Sequence, residues 1–192
     1  CALPIFQGDA AMQVTTGYDT ATYRKPLGVT AGIVPMNFPA MIPWGWMVPL
    51  SIACGNTVVL KASSQTPLTA MRIMELFYTE GGFPKGVVNL VTCSRVEADI
   101  LLTDERVKAV TFVGTTGVGK QVYSKAAAHG KRVQAQCEAK NHALVLEDCN
   151  LEATVNAIIN STYGCAGMRC MALPVVCVQE SIADRSEERR VG

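Results

Sequence analysis

The run Tyr163-Gly-Cys-Ala-Gly-Met-Arg-Cys-Met-Ala-Leu173 holds the side chains best suited to covalent chemistry. Cys170 follows Arg169, and a thiol beside a fixed positive charge loses its proton more readily; the thiolate is the nucleophile. Gly164 and Gly167 let the backbone approach a substrate or cofactor closely. A lone cysteine is more often a small buried hydrophobe, and this one is among eight. A second candidate is Gly114-Thr-Thr-Gly-Val-Gly-Lys-Gln121. It nearly spells the phosphate-binding G-x-x-x-x-G-K-[ST], but Gln121 offers no hydroxyl to magnesium, and the run is not G-x-G-x-x-G either. A glycine turn opening a helix still presents N–H groups and a positive dipole end to a phosphate. Gly114 and Thr115 could thus hold a dinucleotide pyrophosphate, or the turn could serve strand–helix packing alone.

These residues need elements to position them. Residues 27–35 form an apolar run closed by proline, and residues 36–43 a loop carrying Asn37. Residues 44–54 have helical spacing, ended by Gly55-Asn56. Residues 57–61, 87–91 and 107–113 read as further strands, with residues 132–135 and 142–146 resembling others. Between them, helical patterns cover residues 67–80, 94–103, 117–129 and 151–164, with Pro67 opening the first of these. Strands alternating with helices predict right-handed βαβ units and a parallel sheet, an α/β fold. Ligands of such sheets sit beyond the carboxyl ends of the strands, and Asn37, Lys61 and Gly114 each fall just after one. Residues 1–22, polar and rich in β-formers, predict a strand or hairpin outside the main sheet.

Composition narrows the class. The chain has 192 residues, 49% hydrophobic, enough to bury a core, and a net charge of +1 with both signs interspersed. That gives no electrostatic case for nucleic acid or a membrane surface. No apolar run reaches the roughly 18 residues that cross a bilayer. The cysteines show no paired zinc spacing, so no metal site is expected, and reduced thiols fit a cytoplasmic or mitochondrial matrix setting. His129 and His142 lack partners at ligand or triad spacing and read as structural or exposed. The opening residue is Cys, so the chain is expected to start inside a longer protein. Residues 185–192 match the translation of a common sequencing adapter and are expected to be non-native.

Five motifs in order resemble the aldehyde dehydrogenase superfamily: Pro35-Met-Asn-Phe-Pro39, Val58-Val-Leu-Lys61, Gly82-Phe-Pro-Lys-Gly-Val-Val-Asn89, Phe112-Val-Gly-Thr-Thr-Gly117 and Gly167-Met-Arg-Cys170. Within it, Ala139-Lys-Asn-His142 and Arg169-Cys-Met-Ala-Leu173 look most like the CoA-acylating methylmalonate-semialdehyde dehydrogenase branch. The resemblance implies a truncated Rossmann-like sheet with helices on both faces. Residues 1–22 would belong to an oligomerisation hairpin, 23–138 to a dinucleotide-binding domain and 139–184 to the start of a catalytic domain. It implies Cys170 as nucleophile and Asn37 as oxyanion donor, with Pro35, Lys61, Ser64, Gly114 and Thr115 at the cofactor and Phe38 and Arg169 at the substrate. The cofactor would be NAD, with NADP the alternative, and CoA a co-substrate. The partners are a small-molecule aldehyde and, in the full-length protein, further copies in a dimer or tetramer. The chain alone is expected to be inactive.

Three positions depart from the family pattern. Gln136 stands where hydrolytic members carry a glutamate that activates water, and an amide is no general base. Glu138 replaces a glycine on the same face of an extended segment, as a displaced base, a disruption or a read error. Ser64 replaces the glutamate of NAD-preferring members and removes its repulsion of a 2′-phosphate. The rivals are a non-acylating succinate-semialdehyde-like dehydrogenase, a P-loop nucleotide hydrolase and a non-catalytic binding protein on the same scaffold.

Overall fold

In the computed structural model, residues 7–191 are described. The chain divides into two compact units, Cys1–Cys137 and Glu138–Gly192. The first opens with an antiparallel hairpin, β1 (Ala10–Thr15) and β2 (Tyr18–Ala21), which lies outside the main sheet with every strand residue exposed. Gly17 turns it at φ +79°, a conformation that costs glycine nothing.

The main sheet contains β3 (Val29–Ile33), β4 (Thr57–Lys61), β5 (Val88–Val91), β6 (Val107–Val113) and β7 (Arg132–Gln136). Their order is β5-β4-β3-β6-β7 and every pair is parallel. Alternation within the strands divides the core in two. Val58, Leu60 and Val88 pack with Val34, just after β3, and with Ile42, Trp44, Met47, Val48 and Ala70 from the helical segments of one face. Ala31, Val110 and Phe112 pack with Leu101, Leu102, Val122 and Ala126 from those of the other. Helices cover both faces, as a doubly wound sheet requires.

The helices are α1 (Val48–Ala53), α2 (Pro67–Thr79), α3 (Ile100–Thr103) and α4 (Thr116–Ala128). Two differ from expectation. Helical winding begins at Met41, inside the stretch expected to be loop, as a π-helical segment Met41–Met47 running into α1. Pro43 ends nothing there, because in a first turn its missing N–H would be unpaired anyway. The buried pairs Ile42–Pro43 and Met47–Val48 repeat at five residues, and the Val48 N–H accordingly donates to the Pro43 carbonyl. The helix expected over 94–103 is a 3-10 turn, Glu97–Asp99, leading into the short α3.

Two buried polar side chains tie loops to the sheet. Asn56 accepts from the Leu27 and Gly28 amides at 2.6 and 3.1 Å and donates to the Ser51 carbonyl at 3.2 Å. Lys131 donates to the carbonyls of Asp104 and Val107, joining the end of α3 to the start of β6. Burial pushes its ammonium pKa down, against the opposing pull of Asp104.

The second unit is a βαβ arrangement: β8 (His142–Val145), α5 (Leu151–Tyr163) and β9 (Val175–Val178), with β8 and β9 parallel. Asn150 caps α5, its side chain accepting from the Ala153 amide. A turn, Gly164–Gly167, links α5 to the segment before β9. A final helix, α6 (Ala183–Val191), runs through the residues expected to be non-native. Among the described residues no helix is long and apolar enough to cross a membrane.

Candidate active site

The strand order reverses between β3 and β6, whose carboxyl ends pair Ile33 with Phe112. Pro35 follows β3 and Gly114 follows β6, so both flank the point where doubly wound sheets take ligands. Lys61 ends β4 in register with Ile33. Asn37 and Phe38 lie half-buried in the loop after β3, and Phe38 packs against the core beneath. That loop is fixed at both sides: the Thr66 hydroxyl donates to the Met36 carbonyl at 3.0 Å, and the Ile42 amide to the Phe38 carbonyl at 3.3 Å.

A cavity of about 530 Å³ opens between β3, β4 and the helices α3 and α4. Ile33, Val96, Leu102, Val118 and Val122 give it apolar walls, and Lys61, Arg95, Asp99, Gln121 and Lys125 add polar groups. Two bridges span its walls: Arg95 donates to Gln121, and Lys125 pairs with Asp99. The Asp99–Lys125 pair cancels in charge, so among the lining residues Lys61 and Arg95 give the cavity a net positive charge. Ser64 is exposed beyond the end of β4, and Pro35, Ser64, Gly114 and Thr115 are not among the cavity's lining residues.

The glycine turn is corrected by its neighbours. The Gly114 amide, expected to be free for a phosphate, donates to the Gln136 carbonyl at 3.1 Å and so extends the β6–β7 ladder. A Cβ at Gly114 would stand 2.6 Å from the Phe112 ring, so the glycine meets a packing need. Thr115 occupies the N-cap of α4 with extended backbone and no side-chain capping bond. Gln121, the residue that departs from the P-loop pattern, is bonded to Arg95 in the cavity wall.

Cys170 and Arg169 belong to the second unit. Both are exposed, in a turn closed by the Ala172 amide donating to the Arg169 carbonyl at 3.1 Å. The preceding turn contains three consecutive residues at positive φ: Cys165 (55°), Ala166 (53°) and Gly167 (71°). For cysteine and alanine this left-handed backbone costs roughly 1–2 kcal/mol each. Such strain concentrates at functional loops. The Arg169 guanidinium folds back over Gly164, and its Nε donates to the Cys165 Sγ at 3.4 Å. Proximity in sequence predicted that Arg169 acts on the thiol of Cys170; the bond it makes is to Cys165.

Sequence reasoning passed over Asn141. Its side-chain nitrogen donates to the carbonyls of Cys170 and Ala172 at 2.9 and 2.8 Å. Only the β8–β9 register reveals this, by setting the residue before β8 beside the segment that enters β9. The histidines bond nearby carbonyls, His129 that of Lys125 and His142 that of Lys140, both at 2.8 Å. The seven described cysteines are unpaired.

A doubly wound sheet with polar groups at its switch point, followed by a βαβ unit presenting an exposed cysteine, defines the class. Residues 4–191 match the aldehyde dehydrogenase family, and the chain belongs to it. It is 50% identical over 97% of its length to malonate-semialdehyde dehydrogenase 1 of Oceanobacillus iheyensis, covering 38% of that protein. The methylmalonate-semialdehyde dehydrogenase of Oceanimonas doudoroffii superposes with a TM-score of 0.90 at 40% identity, over 98% of this chain and 38% of that one. A candidate methylmalonate-semialdehyde dehydrogenase from Sinorhizobium meliloti 1021, complexed with NAD, gives 0.89 at 39% identity over the same shares. The chain therefore spans a little over a third of the length of its relatives.

Proposed function

We propose that this chain is part of an enzyme that oxidises malonate or methylmalonate semialdehyde with NAD(P) and transfers the acyl group to CoA. The observation that carries the reading is half identity to a malonate-semialdehyde dehydrogenase over nearly the whole chain, through an exposed Cys170.

The Cys170 sulfur adds to the aldehyde carbon, forming a C–S bond and an alkoxide. The Asn37 amide and the Cys170 backbone N–H stabilise that oxyanion, each donor contributing roughly 3–4 kcal/mol in comparable sites. Bound NAD(P) supplies a hydride acceptor. With the carbon oxidised, the acyl group is held as a thioester on Cys170, and the CoA sulfur displaces it, returning the Cys170 thiolate. Gln136 favours this release over hydrolysis, because its amide cannot take a proton from water. Glu138, two residues on, is the candidate for a displaced base.

The cavity beside Lys61 suits the adenosine end of the cofactor. Its 530 Å³ and apolar walls fall in the ordinary range of small-molecule sites, about 300–1,000 Å³. Lys61 would bond ribose hydroxyls there, with Ser64 nearby in sequence. Pro35 and the Gly114–Thr115 turn would border the pyrophosphate, using amides of the α4 N-terminus beyond that of Gly114. Arg95 favours NADP as a second reading, since a guanidinium lining the same cavity as Lys61 suits a 2′-phosphate. Phe38 and Arg169 would contact the substrate, and the exposed hairpin β1–β2 would join copies into a dimer or tetramer.

The full-length protein, given either semialdehyde and NAD, is expected to yield acyl-CoA when CoA is present and to lose activity on Cys170→Ala. Equal NADH formation with and without CoA, giving free acid, would remove CoA transfer and leave the non-acylating rival. Absence of any aldehyde-dependent reduction of NAD or NADP would remove the enzyme reading.

A further inference from the structure

We infer that Asn141 is a positioning residue that sets the nucleophile turn through both hydrogens of its side-chain nitrogen. The inference rests on Cys170 being the nucleophile. One hydrogen is given to the Cys170 carbonyl at 2.9 Å and the other to the Ala172 carbonyl at 2.8 Å. An amide nitrogen has two donors, and both are used on one turn. Asn141 immediately precedes β8, and the pairing of His142 with Val175 anchors it beside the segment leading into β9.

The clamp acts on the peptide groups around the thiol. The Arg169 carbonyl accepts from the Ala172 amide at 3.1 Å inside the turn. In a trans peptide the C=O and N–H point in opposite directions, so the Cys170 N–H is directed away from the inside of the turn. Asn141 fixes the next peptide plane through the Cys170 carbonyl, and the far end of the turn through Ala172. A second tether limits the segment further on, where the Thr162 hydroxyl donates to the Leu173 carbonyl at 3.0 Å. The preceding turn, with Cys165 and Ala166 in left-handed backbone, lacks such an intrinsic preference for its shape, so the hold on Cys170 comes from the Asn141 side.

The test uses Asn141→Asp in the complete protein, a change that keeps the shape and removes both donors. A displacement of about 1 Å in such a group costs about 100-fold in rate, so kcat for the semialdehyde is expected to fall by that order. The KM for NAD(P) stays within twofold. Hydrogen exchange followed by mass spectrometry is expected to show lost protection at the Ala172 amide, with β8, β9 and α5 still protected. Asn141→Ser, which keeps one donor, restores part of the rate. A kcat within threefold of the parent would overturn the inference. Protection lost across β8 and β9 together would also overturn it, showing Asn141 to be a support of the sheet. Cys170→Ala in the same protein separates the two claims: if that variant stays active, it is the nucleophile reading that has failed.

Discussion

The Nε of Arg169 donates to the Sγ of Cys165 at 3.4 Å, and the same guanidinium lies on Gly164, where a Cβ would meet its Nη2 at 2.6 Å. The arginine is therefore held by the strained turn ahead of Cys170. Gly164→Ala must displace it without changing its charge. If Arg169 binds the substrate carboxylate, KM for the carboxylated semialdehyde rises about tenfold or more, the worth of a charge-assisted hydrogen bond. Steady-state kinetics with an uncharged aldehyde of equal length should change less than threefold. Equal effects on the two substrates would show that Arg169 only shapes the turn.

Gly114, after β6, and Gly119, in the first turns of α4, make a stability prediction. A Cβ at Gly114 would press into the Phe112 ring, and one at Gly119 would run into the Cys137 Sγ. Overpacking of this kind costs about 1–3 kcal/mol. Urea unfolding of Gly114→Ala and Gly119→Ala is expected to show that loss. Phe112→Leu should recover part of the first and Cys137→Ala part of the second, because each removes the atoms struck.

Much of this arrangement is legible in the residues. Thr57–Lys61 and Val107–Val113 are strands because β-branched runs sit between turn signals, and Pro67 opens α2 because its fixed φ suits a first turn. Other features depend on partners distant in sequence. Val175–Val178 reads only as apolar surroundings for Cys177 until β8 supplies its ladder. The Gly114 amide looks free until β7 lies beside it, and Asn141 is one more polar residue until the register places it at the turn that carries Cys170. Left-handed backbone at Cys165 and Ala166 has no local signal at all, since neither residue favours it.

The proposed seat of the adenosine end beside Lys61 predicts how two nearby substitutions change cofactor choice. Ser64→Glu restores a carboxylate beyond β4, and kcat/KM with NADP is expected to fall about tenfold or more through like-charge repulsion, with NAD little affected. Arg95→Ala should lower the NADP value in the same direction. An unchanged NADP to NAD ratio in Arg95→Ala would detach that residue from the cofactor.

Acid should loosen the first unit in a defined window. Hydrogen bonds from the Arg106 side chain and amide hold the Asp104 carboxyl well below the usual carboxylate range. The Ser94 amide and hydroxyl lower Glu97 in the same way. Both carboxyls release their protons more readily folded than unfolded, so the unfolded chain binds more protons in acid. Their contribution is complete above the ordinary values of 3.8 and 4.5 and is lost as pH falls below them. Thermal unfolding from pH 6 to pH 3 is expected to show a shallower fall for Asp104→Asn than for the parent. Parallel curves would assign the acid response elsewhere.

The wide winding from Met41 to Met47 means that the backbone here carries a surplus amino acid relative to a regular spiral. Shortening it at Gly45 would restore the common pitch and twist the upstream chain by about 100°, the turn of one residue. Ile42–Pro43 and Met47–Val48 could not then both stay inside. The loop carrying Asn37 is thus seated by a local excess in chain length, and a single-codon deletion well removed from it would shift it.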